Sequence, residues 1–502
     1  MAGAVKLPTD DGRANKRQNL RLPLPPGPAP LPVLGNVLDL PRDDITRQFH
    51  ELSREHGDVM YLDVLGQPIV ILGSYAVTHE LLNKKSSNFS GRPKSIMAQL
   101  VGLDWFFVLM PYGERWRQHR RAFNHAFSSK AIVQYQSIQL EVIHQLLGGL
   151  LRSPKALTRK LELAFAKIIM QIVYGIELHD EDNRYFNMVD RVRIIGEDIL
   201  LPGRYPVDGI PILQHVPSWF PGVRFKQYAA GARQEILSIV GRLYEDSTSH
   251  PVSVWTESSM ATHFWSRDGE YLDRQQALNG FEAPLIFGLT SQTNTMTQAF
   301  FLAMALHPDV QMKAQKELDA VIGTNRLPDF SDRESLRYVS ALTKELLRWH
   351  PVAPMGIPHC TIDDDDFNGY CIPAGTIVAP NIWAMSRNPE EYPEPDEFQP
   401  ERFLEGSRPT RDPVDFAFGF GQRFADCPGR HLAESTLFIL CASVLHLFNV
   451  GPPVSDSDGV PLNIRYEATH DRLLSHPKIY DFVITPRHPD TERLIMETGH
   501  II

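Results

Sequence analysis

Cysteine is scarce in this chain: only Cys360, Cys371, Cys427 and Cys441 occur among its 502 residues. Four cysteines are too few for a disulfide-built scaffold, and no two form the CxxC pair of a zinc ribbon. Long apolar runs are also missing, since none approaches the roughly 18–20 residues of a membrane span. The net charge of −10 argues against nucleic-acid binding, because phosphate contacts need clustered Lys and Arg. The low cysteine count also favours a reducing compartment.

The chain changes character along its length. Residues 1–21 are polar and predicted to be disordered, with no transmembrane anchor, and a proline-rich lead-in occupies residues 22–36. Apolar spacing and a glycine stop predict a helix at 45–57, and the apolar runs that flank Gly66-Gln67 predict a hairpin. From about residue 74 to 350 the apolar spacing is mostly helical, including 338–350, and short strands, turns and a proline-rich stretch follow. The apolar run at 436–448 predicts a buried core helix. Residues 245–270 lack periodicity and are predicted to form a surface loop. The pattern predicts a mainly α protein with a small β-rich portion.

The segment "FGFGQRFADCPGRHLAE" (418–434) surrounds Cys427 with glycines. A thiolate is a soft ligand that suits iron, and haem iron can take a cysteine as its axial ligand. A flat macrocycle requires close backbone approach, which glycine permits. Arg423 is suited to meet a propionate. A lone cysteine is more often a small buried apolar side chain, but that role does not require the surrounding motif.

Two further patterns place charged residues at helical spacing. Glu345 and Arg348 lie three apart and can pair, with Arg402 of "FQPERF" as a third member, although an exposed ion pair is the simpler interpretation. Trp116 and Arg120 lie four apart, which suits an anionic ligand beneath an aromatic ring. A basic, solvent-facing helix is the alternative for that second pattern.

The segment 287–308 is an apolar helix interrupted by six polar residues, from Thr290 to Thr295. At about 100° per residue, six consecutive positions cover every face of a helix, so some of these side chains must point inward. Buried hydroxyls and amides need partners. A ligand, an ordered water, a local bend or ordinary intrahelical bonds by Ser and Thr could supply them.

Taken in order, "LPPGP", "YGERWRQHR", "ELLR", "FQPERF" and "FGFGQR…CPG" resemble the cytochrome P-450 family, over about residues 22–487. Segments such as "NFSGRP" and "NIWAMSRNPEEYPEPDEFQPERF" resemble those of filamentous-fungal, especially mushroom-type, family members that act in secondary metabolism. The resemblance implies a cytochrome P-450 fold, a single domain around a buried haem. It places the catalytic domain at 37–487 and a C-terminal tail at 488–502.

The resemblance also implies roles for individual residues. Cys427 would be the proximal thiolate, and therefore the metal ligand. The haem-binding residues would be Trp116, Arg120, His359, Phe418, Gly421, Arg423, Cys427 and Gly429. The catalytic residues on the oxygen side would be Thr290, Ser291, Gln292 and Thr293, and the structural cluster would be Glu345, Arg348 and Arg402. The residues implied to line the substrate pocket are Val352–Met355, Leu473–Leu474 and apolar side chains within 95–110.

The sequence departs from the family pattern at two functional places. Three residues separate Arg423 from Cys427 where the family has one, and a two-residue insertion is preferred to a gap-free alignment that keeps Phe420. The charge of Asp426 would then repel a thiolate unless it turns to solvent. On the oxygen side, Ser291 and Gln292 stand where the family has an acid and an alcohol that deliver protons.

The resemblance implies a haem-thiolate monooxygenase that oxidises a lipophilic secondary metabolite: a terpenoid, an aromatic polyketide or an indole amine. Oxygen and electrons from NADPH–cytochrome P-450 reductase would support the reaction. A monomer is expected, without nucleic acid, at the cytosolic face of the endoplasmic reticulum by resemblance, or in the cytoplasm because no anchor is seen. Ser291 and Gln292 motivate a haem-thiolate isomerase or dehydratase as an alternative. The insertion together with the altered helix motivates a decayed paralogue or a small-molecule binder.

Overall fold

The computed structural model describes residues 22–498, except for residues 42, 104–105, 180–182, 200–203, 250–291, 409, 422–426, 456, 458 and 470–472. The chain divides into two compact units. The first unit contains the residues up to 94, together with 355–385 and 419–426, and the second contains the rest. Helices predominate and the sheets are small, so the predicted fold class is confirmed.

A four-stranded sheet forms part of the first unit, in the order β1-β2-β6-β3. Strand β2 pairs antiparallel with β1 and parallel with β6, and β3 pairs antiparallel with β6. A separate hairpin joins β4 to β5. The strands are β1 (Val59–Val64), β2 (Gln67–Leu72), β3 (His359–Cys360), β4 (Asp365–Phe367), β5 (Tyr370–Ile372) and β6 (Ile377–Pro380).

Both hairpins of the first unit turn through two residues of positive φ. Leu65 and Gly66 have φ of 53° and 83° between β1 and β2, and Asn368 and Gly369 have 53° and 82° between β4 and β5. Positive φ at both central positions is the signature of the type I′ turn, whose twist matches that of paired strands. The predicted hairpin around Gly66 is therefore confirmed.

Helix α1 (Ile45–His56) packs on the sheet of the first unit and ends at Gly57, whose φ is 101°. Phe49 of α1 joins Met60, Leu62 and Ile71 in one buried apolar cluster. The short helical segments of this unit are Val37–Asp39, Tyr75–Thr78, His79–Lys84 and Ser86–Phe89, and Ile382–Ser386 lies at its boundary.

Most helices belong to the second unit. They are α2 (Ile96–Val101), α3 (Glu114–Phe127), α4 (Gln136–Arg152), α5 (Leu157–Ile169), α6 (Asn183–Ile199), α7 (Arg224–Ser249), α8 (Asn294–Leu306), α9 (Pro308–Val321), α10 (Arg337–Trp349), α11 (Arg430–Leu447) and α12 (Thr491–Glu497). The short helical segments are Ala131–Tyr135, Met170–Tyr174, Pro206–Gly209, Pro211–His215, Phe330–Glu334, Pro400–Phe403 and Val414–Ala417. Because α7 continues to Ser249, the first residues of the predicted 245–270 loop are helical, and the rest lie outside the described residues.

Helix α11 is buried along most of its length and packs against α4, α9 and α10. The side chain of Gln139 on α4 joins the two helices: its amide nitrogen donates to Thr436 Oγ1 over 2.5 Å, and its oxygen accepts from Ser435 Oγ over 3.1 Å. These bonds satisfy polar groups that would otherwise be costly to bury. The predicted core helix at 436–448 is confirmed up to Leu447, and a strand begins at Phe448.

Beyond α11, β7 (Phe448–Gly451) pairs antiparallel with β8 (Val483–Pro486). Between these strands, residues 467–469 pair with 476–478: the amide of Thr469 donates to the carbonyl of His476, and that of Lys478 to the carbonyl of Glu467. No helix in the described part of the chain is both long enough and apolar enough to cross a membrane.

Candidate functional site

Cys427 lies just before α11, and Gly429 is the N-cap residue of that helix. The amide of Cys427 donates to the carbonyl of Phe418 over 2.8 Å, which closes the segment 418–427 into a loop. The side chain of Cys427 is part-buried. Backbone dipoles make the N-terminus of a helix electropositive, so this position favours a thiolate.

The middle of the Cys427 loop divides between described and undescribed residues. Gly419 and Gly421 have φ of 90° and 113°, a region that favours glycine. The amide of Gly421 donates to the side chain of Asn83 within the first unit. Residues 422–426 lie outside the described residues, and with them Arg423 and the insertion predicted before Cys427.

On α3, Trp116 and Arg120 are buried, with side chains on one helix face. Phe107 stacks on Trp116, with ring centroids 5.3 Å apart and planes inclined by 18°. The next residue, Arg117, is instead exposed and binds Glu114 over 2.5 Å. The alternative of a solvent-facing basic helix is therefore wrong for Trp116 and Arg120. The side chains of this buried pair carry N–H donors of the kind that recognise a carboxylate.

In the first unit, His359 is buried and its Nδ1 lies 2.8 Å from the carbonyl of Phe89. Burial, and second the charge of Arg92, lower the pKa of His359 to about 3, so its imidazole is neutral and Nδ1–H is the donor. Arg92 donates to the carbonyls of Ile357 and Pro358, and burial lowers its pKa only to about 10. The positive charge here belongs to Arg92, which sequence reasoning missed.

Glu345, Arg348 and Arg402 meet within the second unit. Two parallel bonds of 2.7 and 2.8 Å join the Arg348 guanidinium to the Glu345 carboxylate, and both side chains are fully buried. Arg402 Nε lies 3.5 Å from Glu345 Oε1, an ionic contact without a hydrogen bond. Burial lowers the pKa of Arg402. The interpretation of Glu345 and Arg348 as an exposed ion pair, the simpler one from the sequence, is therefore wrong.

The remaining donors of Arg348 tie distant backbone together: they bind the carbonyls of Ser386, Pro395 and Glu397 over 2.6–3.0 Å. Arg387, missed by sequence reasoning, binds the last carbonyls of α10 at Arg348 and Trp349. Burial lowers its pKa to about 10. A cation at a helix C-terminus is favourable, so Arg387 caps the C-terminal end of α10, next to the network that Arg348 makes.

The described part of the polar segment, residues 292–295 at the start of α8, is half-buried or buried, as expected. Thr290 and Ser291 lie outside the described residues, Gln292 is half-buried and Thr293 is buried. Thr297 donates to the carbonyl of Thr293 over 2.9 Å, an ordinary intrahelical bond. Thr295 is different: its hydroxyl lies 3.1 Å from Nδ1 of His476, far along the chain. Among the described residues of this segment none is a carboxylate.

The donor set can be tested against the haem that the resemblance implies. Cys427 fits the role of the protein ligand to an iron held otherwise by a macrocycle, because its part-buried thiol stands at the electropositive N-terminus of α11. Trp116 and Arg120 fit a propionate as donors. His359 fits only after gaining a proton on Nε2, whereas Arg92 carries its charge permanently.

Comparisons with known proteins agree with this geometry. The sequence model of the cytochrome P-450 family matches residues 25–464. Cytochrome P-450 monooxygenase COX2 of Coprinopsis cinerea is 37% identical, covering 95% of this chain and 92% of its own length. Cytochrome P-450 monooxygenase ppsD of Aspergillus oryzae is 35% identical, covering 97% and 93%. Tryptamine 4-monooxygenase of Psilocybe cyanescens is 35% identical, covering 94% and 95%.

These matches confirm the predicted resemblance to fungal secondary-metabolism members, and the predicted monooxygenase class and haem-thiolate cofactor with it. Such enzymes generally need O2 and a redox partner. With a thiolate candidate at the start of α11 and a family match running through both compact units, the chain belongs to the cytochrome P-450 family of haem-thiolate monooxygenases.

Proposed function

We propose that this enzyme inserts one oxygen atom into a lipophilic secondary metabolite. The overall reaction takes a substrate C–H bond, O2, NADPH and one proton to the alcohol, water and NADP⁺. NADPH–cytochrome P-450 reductase supplies the two electrons. The observation that carries the proposal is Cys427: a single part-buried thiol at the N-terminus of α11, inside a chain whose relatives are monooxygenases.

The chain's own residues would hold and orient the cofactor and exclude water. When bound, the haem supplies the chemistry of oxygen activation. Cys427 would be its axial ligand, while Trp116 and Arg120 would bind a propionate from their buried face of α3. Within the first unit, His359 would donate to a propionate as the resemblance implies, and Arg92 carries the positive charge beside it. Phe418, Gly421, Arg423 and Gly429 would shape the loop that brings the sulfur to the iron.

Buried apolar side chains and the names of the relatives support a lipophilic substrate. Met97, Phe106 and Phe107 are buried near the start of the second unit, in the segment expected to contact substrate. One relative is named as a tryptamine 4-monooxygenase, which is consistent with an indole amine. Other relatives of similar identity carry names without a substrate, so terpenoids and aromatic polyketides stand beside it.

The test is the carbon-monoxide difference spectrum of the dithionite-reduced protein. Wild type should show the thiolate-shifted Soret band, and Cys427→Ala should abolish it. Cys371→Ala is the matched control, because that part-buried cysteine lies in β5 and its loss should leave the band unchanged. A histidine-like ferrous complex in wild type, or no haem, would contradict the proposal and favour a decayed paralogue.

A second candidate activity is a haem-thiolate isomerase or dehydratase. Gln292 stands where the family has an alcohol, and the described polar part of α8 contains no carboxylate to deliver protons. A rearranging enzyme needs neither O2 nor NADPH, so turnover that persists without both would establish it. Turnover that stops when either is withheld favours the monooxygenase.

The enzyme is further proposed to act as a monomer at the cytosolic face of the endoplasmic reticulum. Trp219 and Phe220 expose 79% and 52% of their surface with ring centroids 6.2 Å apart, and Ile212 exposes 71%. Exposed apolar side chains that group together are typical of a membrane or protein contact. Flotation with phosphatidylcholine vesicles tests the membrane contact, with Trp219→Ser/Phe220→Ser as the comparison. Light scattering in solution tests the oligomeric state.

A further inference from the structure

The hairpin formed by residues 467–469 and 476–478 carries two buried leucines in its described tip, residues 473–475. Its two sides are joined by backbone bonds, and the amide of His476 also donates to Thr469 Oγ1 over 3.0 Å. Leu473 and Leu474 are buried, whereas His476 is half-buried. The tip therefore presents apolar side chains inward while a titratable side chain stands beside them.

Ser475 fixes this tip to the end of α10. Its amide donates to the carbonyl of Val352 over 2.8 Å, and its carbonyl lies 3.2 Å from Nε2 of His350. Because a carbonyl only accepts, Nε2 of His350 must carry the proton, and Nδ1 then accepts from Tyr466 OH over 2.8 Å when the ring is neutral. The ring of Tyr466 packs against that of Trp349, with the two ring centroids 4.2 Å apart.

His476 fixes the same tip to α8. Its Nδ1 lies 3.1 Å from the hydroxyl of Thr295, which has no exposed surface. Thr295 lies in the first turn of α8, three residues after Gln292, so the bond joins the tip to the polar residues at the start of that helix. A hydroxyl can donate or accept, so either form of the imidazole can keep the bond. The tip is thus held on two sides by histidines.

We propose that His476, through its bond to Thr295, is a positioning residue that fixes Leu473 and Leu474 relative to α8 and so sets which bulky lipophilic ligands the haem site accepts. The proposal rests on the proposed function and on the expectation that Leu473–Leu474 and Val352 line the substrate pocket. The α10 contacts would hold the base of the tip, while the His476–Thr295 bond sets its distance from the helix.

The test uses variants that move or remove one polar atom. His476→Asn keeps a polar atom at the position of Nδ1, His476→Gln shifts it to that of Nε2, and His476→Ala removes it. Thr295→Val removes the hydroxyl with little change of shape, and Thr295→Ser retains it. Each protein is titrated by absorbance with imidazole, a small iron ligand, and with clotrimazole, a bulky lipophilic one.

We expect His476→Ala, His476→Gln and Thr295→Val each to weaken clotrimazole binding about three- to tenfold, as the loss of one hydrogen bond would, and to leave imidazole binding unchanged. His476→Asn and Thr295→Ser should restore the wild-type affinity. Asparagine cannot carry a proton as imidazole does, so its rescue identifies positioning. The double variant Thr295→Val/His476→Ala should lose no more than either single variant.

Three results would overturn the proposal: His476→Asn as weak as His476→Ala, equal losses for both azoles, or additive losses in the double variant. Hydrogen exchange over residues 473–478 gives a readout without haem. Faster exchange in His476→Ala but not in His476→Asn supports the contact, and equal exchange refutes it. If wild type lacks the thiolate band, the proposed function fails on its own, and the exchange result still decides the contact.

Discussion

Replacing Arg348 by methionine is the sharpest test of the buried cluster. The change removes two bonds to Glu345 and the bonds to the carbonyls of Ser386, Pro395 and Glu397. Glu345 would remain buried, with the amide of Gln399 at 2.8 Å and Arg402 at 3.5 Å as its remaining partners. Neither replaces the bidentate guanidinium.

The size of the effect can be bounded from this geometry. Hydrogen bonds to charged groups contribute roughly 1.5–3 kcal/mol each, and a sum over all those of Arg348 would approach the whole stability of a typical domain, roughly 5–15 kcal/mol. Simple addition therefore overshoots. Removing one partner of a buried ion pair is known to cost about 3–5 kcal/mol, and we expect Arg348→Met to lower the free energy of unfolding by that amount.

The assay is urea unfolding followed by far-ultraviolet circular dichroism. Arg337→Met is the matched control, because Arg337 lies on the same helix and pairs with Glu405 while 67% and 86% of the two side chains are exposed. An exposed pair contributes about 0–1 kcal/mol. The double variant Glu345→Leu/Arg348→Met removes the uncompensated charge but not the loss at the backbone carbonyls.

The double variant should therefore lose less than the sum of its single variants. The reasoning is refuted if Arg348→Met lowers the free energy of unfolding no more than Arg337→Met does. Strict additivity of Glu345→Leu and Arg348→Met would equally refute it, because the stranded carboxylate is what makes the single change severe.

Burial lowers the pKa of His359 to about 3, below the value of about 6.5 that it has in the unfolded chain. The free energy of unfolding is therefore at its full value above about pH 6.5 and decreases as the pH is lowered from there, by up to about 1.4 kcal/mol per pH unit. His359→Gln should flatten that slope between pH 6 and 4 in urea titrations. Asp208 accepts from the amide of Met97 over 2.9 Å, so Asp208→Ala should speed hydrogen exchange across α2, with Asp208→Asn intermediate. Trp116→Phe keeps the aromatic stack but loses the indole N–H, and should speed haem transfer to apomyoglobin without a shift in unfolding midpoint.

Local pattern was enough to locate the strongly periodic helices. The segment predicted at 45–57 is α1, which ends where Gly57 takes positive φ, and the segment at 338–350 is α10 within a residue at each end. These elements are specified by their own apolar spacing and end signals. The first residues of the predicted 245–270 loop are instead helical, because α7 runs on to Ser249 without a clear apolar stripe.

Contacts between distant segments could not be predicted in the same way. The spacing of Glu345 and Arg348 indicated that they could pair, but it did not tell that both are fully buried, since burial depends on backbone carbonyls far along the chain. Arg387 carried no signal at all, as a lone arginine before Asn-Pro gives no indication that it caps a helix. For Thr295, a buried hydroxyl demanded a partner, and the partner at His476 became visible only in the fold.

The ends of the Cys427 loop are joined by a backbone hydrogen bond, whichever alignment is chosen for the residues between them. The amide of Cys427 binds the carbonyl of Phe418, so the residues between them belong to a loop whose ends are already joined. Lengthening such a loop by two residues changes its closure entropy by well under about 0.6 kcal/mol, the value for a doubling of length. Cys427 lies just before α11, where the helix N-terminus favours negative charge. An insertion between Phe418 and Cys427 is therefore energetically compatible with the proposed thiolate ligation, which the carbon-monoxide difference spectrum tests.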